Sequence, residues 1–146
     1  MPFPVMDVAK YIINYCINKK RPISNLKLQK LLYYLWIDYY KRVNTYIFNE
    51  SIFAWPFGPV IPDVYYEYCT YGGISITKQE DFVNPFSTDE TMEIDEILNR
   101  YINYSPNQLV DMSHQPDKPW DVIYNQKNKC KEEIPFDLII RLECQV

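Results

Sequence analysis

The chain has 146 residues, of which 47% are hydrophobic, which fits one folded domain around one core and argues against disorder. Its formal net charge of -4 excludes a surface that draws in polyphosphate at long range. Aromatic residues reach 16%, and 14 of them are tyrosines, which suit half-buried positions and protein interfaces.

Residues 5 to 18, VMDVAKYIINYCIN, set Val5, Val8, Ala9, Ile12, Tyr15 and Cys16 at helical spacing. Asp7 and Lys10 interrupt this stretch before an apolar run can build, so no signal peptide is expected. No run approaches the roughly 20 apolar residues that cross a bilayer, so neither a membrane span nor a membrane partner is expected, and the cytoplasm is the expected compartment. Lys19, Lys20 and Arg21 then form the most basic patch of the chain. Cations at a helix C-terminus are what the helix dipole favours, so nucleic acid is not the expected partner.

Ser24 offers an N-cap for a second helix, NLKLQKLLYYLWIDYYKRV. Leu28, Leu31, Leu32, Leu35, Trp36 and Tyr39 make its apolar stripe, and Lys27, Lys30, Asp38 and Lys41 are expected largely on the opposite, wet side. In residues 46 to 55, YIFNESIFAW, two apolar triplets flank Asn49-Glu50-Ser51, which predicts a small hairpin turning at those three residues. Pro56, Gly58 and Pro59 are expected to forbid regular structure, Pro62 to open a short helix over 62 to 71, and Gly72 and Gly73 to stop it.

Ile74-Ser75-Ile76 reads as a short strand and residues 77 to 91 as a polar loop, which ends in a capping box of Ser87 and Glu90. A helix over about 90 to 104 buries Ile94, Ile97, Leu98 and Tyr101. Ser105, Pro106 and Gln108 start another, running to about Ser113. Trp120 to Lys127 predicts one more helical turn, and Pro135 opens a last amphipathic segment. The expected fold class is therefore mainly α: a compact single-domain helical bundle with a small β-hairpin or a two- to three-stranded β element.

Chemistry is thinly represented. Cys16, Cys69, Cys130 and Cys144 are far apart and only His114 could join them, so neither a metal site nor a disulfide framework is expected. Three glycines are too few to write a phosphate cradle, and no cofactor pattern is present. His114 could serve Ser113, Ser105 or a cysteine as a base, but no spacing selects one, so no catalytic residue is assigned. Its expected role is structural, beside a Trp120 that plugs the core.

Three stretches together are recognisable: ISNLKLQKLLYYLWIDYYKR, IFNESIFAWPFGPVIPDVYYEY and LVDMSHQPDKPW. In order and separation they resemble the Panacea antitoxin domain, SocA-like or phage-associated GepA-like, over roughly residues 5 to 125. The resemblance implies one antitoxin domain across residues 1 to 146, without enzyme activity. Its implied partner is a cognate toxin encoded next door, and a cellular protease is a further implied partner for one type of member. A transcriptional regulator or protease adaptor on the same fold is the alternative it leaves open. Carried over by motif, the first stretch matches at Leu28, Lys30, Leu31 and Tyr33. The second matches at Ala54, Gly58, Pro59, Val60 and Pro62, and the third at Pro119, all as structural positions. Trp55, Phe57, Tyr65, Tyr66, Tyr68, His114 and Trp120 are the candidate partner-binding residues. Three tyrosines within four helical residues cannot all face one core, so some of that surface should be exposed.

Overall fold

The computed structural model describes residues 2–145, and its centre is a helix buried on nearly every side. Helix α1 (Val5–Asn18) packs against α2 (Asn25–Val43), which is capped by Ser24: its hydroxyl accepts from the Lys27 N–H at 3.2 Å. From Lys27 to Tyr39 every residue of α2 is buried, so Lys27, Lys30 and Asp38 are not on a wet face as their spacing predicted. Other elements wrap α2 all round, and each polar group is answered inside the protein, as burial requires. Lys27 Nζ donates to Ile102 O at 2.6 Å and Lys30 Nζ to Pro59 O at 2.8 Å. Asp38 accepts from the Tyr101 hydroxyl at 2.8 Å and from Arg100 at 3.3 Å. Lys41 alone of the four is exposed.

The sheet is three-stranded and antiparallel, in the order β2–β1–β3, with β1 Ile52–Trp55, β2 Gly58–Val60 and β3 Glu133–Ile134. The hairpin is therefore not the one expected across Asn49–Ser51. It turns at Pro56 and Phe57, and Gly58 and Pro59, expected to forbid regular structure, are paired with Trp55 and Ala54. Gly58 can do this because it sits at φ +112°, which other residues avoid. Pro59 is tolerated because β2 is an edge strand. Ile74-Ser75-Ile76 contributes only a single bridge, Ile76 to Ile23.

Helix α3 (Pro62–Glu67) opens on its proline and tightens into a 3₁₀ turn, Cys69–Tyr71, before Gly72 reverses the chain at φ +58°. Residues 77 to 87 then run extended across α1, where the Asn14 amide both donates to Glu80 O and accepts from Glu80 N. Capping boxes start α4 (Thr88–Tyr101) at Ser87–Glu90 and α5 (Pro106–Ser113) at Ser105–Gln108. Both remaining helices widen into a π-helical turn: α6 (Pro119–Asp121) over Val122–Gln126, and α7 (Phe136–Ile139) over Ile140–Cys144. Among the described residues the fold is thus seven α-helices and one small sheet, with one continuous core.

Candidate functional site

At the tip of the hairpin three distant pieces of chain meet. Helix α2 brings Lys30, the β1–β2 corner brings Gly58 and Pro59, and the end of α5 brings Ser113. A methyl group at Gly58 would lie 2.7 Å from both Lys30 Cε and Ser113 Oγ, so only glycine lets the corner close onto α2. Lys30 is wholly buried, and burial pushes its ammonium down to about 7. Ser113 is buried too, and its hydroxyl donates to Val110 O at 2.8 Å. That hydroxyl is paired with its own helix rather than with a base, so the cluster has neither the access nor the hydrogen bond of an activated nucleophile.

Beside it, His114 stacks flat on Trp120, with ring centres 3.7 Å apart and planes at 10°, and Tyr124 continues the stack. Trp120 Nε1 donates to Trp55 O at 2.7 Å, which fastens α6 to the hairpin. His114 Nε2 is buried without a partner among the described residues, and burial together with the Lys30 ammonium holds its pKa below the ordinary value. His114 thus makes this contact through its ring face.

On the other side of the corner, Trp55, Tyr65 and Tyr66 meet edge to face, with centroids 5.1 to 6.0 Å apart. Lys131 Nζ lies 5.2 Å over the Trp55 ring. A cavity of about 280 Å³ opens here, bordered by Asn25, Gln29, Trp55, Phe57, Val60 and Tyr65, among others. Phe57 is 67% and Tyr66 62% exposed, while Tyr68 is 2% exposed and donates its hydroxyl to Glu80. The structure therefore gathers Trp55, Phe57, Tyr65 and Tyr66 at one surface. Tyr68, His114 and Trp120 stand behind it and do not border the cavity.

Sequence reasoning missed the cavity floor. Asn25 Nδ2 donates to Tyr65 O, Gln29 Nε2 donates to Asn25 Oδ1, and Gln29 Oε1 accepts from Ile61 N. Their i, i+4 spacing on α2 was the available signal. A larger groove of about 520 Å³ lies between α1 and residues 82 to 84, lined by Tyr11, Asn14, Lys19 and Asp95 among others. It holds none of the motif residues.

The model of the family described as antitoxin SocA-like, Panacea domain, matches residues 28–121. That span begins at α2 and ends in α6, so it takes in every element meeting at the corner. The chain belongs to the SocA-like Panacea antitoxin family. It is also 33% identical over 132 residues to Antitoxin SocA of Caulobacter vibrioides (strain NA1000 / CB15N), covering 80% of this chain and 70% of that protein. No solved structure matches the chain. In this Panacea domain the quoted stretches meet physically: Lys30, Gly58–Pro59, Ser113 and Trp120 form one buried knot beneath an exposed aromatic face. Among the described residues no helix is long and apolar enough to cross a membrane.

Proposed function

We propose that residues 1–146 act as one non-enzymatic antitoxin domain, which neutralises a toxin encoded by a neighbouring gene through direct protein–protein binding at the Trp55–Tyr66 face. Family membership supports the antitoxin role. The observation that carries the choice of surface is the pair of exposed rings, Phe57 on a corner whose backbone is clamped from behind by Lys30 and Trp120, and Tyr66 beside it on α3. Large apolar side chains on a rigid support bind with little ordering cost.

The first test is growth of cells expressing the adjacent open reading frame, with and without this chain. Relief of toxicity by co-expression is the expected result. A neighbour that is harmless, or that this chain does not relieve, removes the antitoxin reading. With the partner in hand, Tyr66→Ala is expected to weaken the complex by about tenfold or more while leaving Tm unchanged. Tyr68→Ala is expected to lower Tm by several degrees, because that ring is core. Thermal melts and titration calorimetry on the two variants distinguish surface from support.

A further inference from the structure

Resting on that reading, we infer that the surface accepts a basic segment of the toxin, which places an apolar side chain in the Trp55 cavity and lysine or arginine side chains along α3. Three features point to this occupant. The first is charge. Asp63, Tyr66 and Glu67 lie at i, i+3 and i+4 on the exposed face of α3, so both carboxylates flank the exposed ring. Neither makes an ion pair among the described residues, whereas the other exposed charges nearby include Lys131, already lodged over Trp55. The second is that same contact: a cation of the chain itself rests on the Trp55 ring, which demonstrates the kind of group this aromatic cluster attracts.

The third is the floor of the cavity. Asn25 and Gln29 are 3% and 1% exposed. Their amide nitrogens donate to Tyr65 O and Asn25 Oδ1 respectively. Both amides therefore form the polar floor of a pocket otherwise lined by residues that include Leu26, Trp55, Val60 and Tyr65. An apolar side chain of the inserted segment fills the space between the rings. A membrane or an anionic polymer does not fit, since the approach passes two unpaired carboxylates.

The test uses the full chain and the adjacent-gene toxin in the growth assay and in a binding titration at low and high salt. Asp63→Lys/Glu67→Lys alters two exposed side chains and should fold normally. It is expected to raise Kd by about 10- to 100-fold in low salt, with the gap closing by about 0.5 M NaCl. Cys69→Phe narrows the cavity and is expected to weaken binding at every salt concentration. Asp89→Lys/Asp137→Lys, which changes net charge equally on other elements, is expected to leave Kd within about threefold. Wild-type rescue with unchanged affinity in Asp63→Lys/Glu67→Lys overturns the inference and leaves the antitoxin reading standing. Equal loss in both double variants assigns the effect to net charge and likewise overturns it. Failure of the wild type to rescue or bind removes the antitoxin reading, and this inference with it.

Discussion

Lys30 concentrates the chemistry of the fold in one atom. Its Nζ has one acceptor, Pro59 O, and no solvent, so the folded chain releases the proton near pH 7, where the unfolded chain keeps it up to about 10.4. Between those values the unfolded state holds more protons, and stability must therefore rise with pH. Wild type should gain about 1–2 kcal/mol between pH 7 and 8.5 relative to Lys30→Met, measured by denaturant melts at each pH. The range stops there because Cys16, pushed up to about 12 by burial, contributes with the opposite sign above its ordinary pKa. His114, held below its ordinary value, adds a loss of stability on acidification below about pH 6.5. Gly58 is the other decisive residue. Gly58→Ala combines an unfavourable φ with two 2.7 Å approaches, which should cost about 3 kcal/mol and lower Tm by roughly 10 °C. An unchanged Tm would mean that the corner relaxes without loss.

Element boundaries were most legible where side chains close them. Val5–Asn18 follows from spacing and Pro106–Ser113 from capping, because Ser105 and Gln108 mark that start through local hydrogen bonds and Pro106 fits the first helical position. Ser87→Ala removes the oxygen that accepts from Glu90 N and should cost about 1 kcal/mol, or a Tm loss of about 2–4 °C. The sheet was legible only in part. Residues 46–55 announced a hairpin, but Asn49–Ser51 made the better turn by composition. The actual turn at Pro56–Phe57 depends on Gly58 meeting Lys30 and Ser113, contacts that span the whole chain. The wet face assigned to α2 failed for the same reason: spacing reports one apolar stripe and cannot report how many neighbours a helix will have. Asn25 and Gln29, which floor the candidate site, carried no mark of their own in the sequence beyond their spacing, whereas Trp55, Phe57, Tyr65 and Tyr66 were legible as an unusual aromatic density.

Across the whole molecule one core joins α1, α2, α4, α5, the sheet and α7, and the tryptophans sample its separate regions. Trp36 stacks with Phe136 at the C-terminal end, while Trp55 and Trp120 report on the corner. Unfolding should therefore be a single transition, with tryptophan fluorescence and far-ultraviolet circular dichroism superimposing. Separated midpoints would reveal a corner that opens before the core. A different consequence follows from the outer rim of β2. Strand pairing alternates, so Phe53–Val60 and Trp55–Gly58 use their backbone groups on each other, while Pro59 and Ile61 turn theirs outward. Pro59 has no N–H to offer, its carbonyl is taken by Lys30, the Ile61 N–H is taken by Gln29, and the Ile61 carbonyl accepts from Tyr65. No template is left on that side for another strand. Aggregation by edge pairing is closed there, and so is runaway growth of the sheet from one copy of the chain to the next.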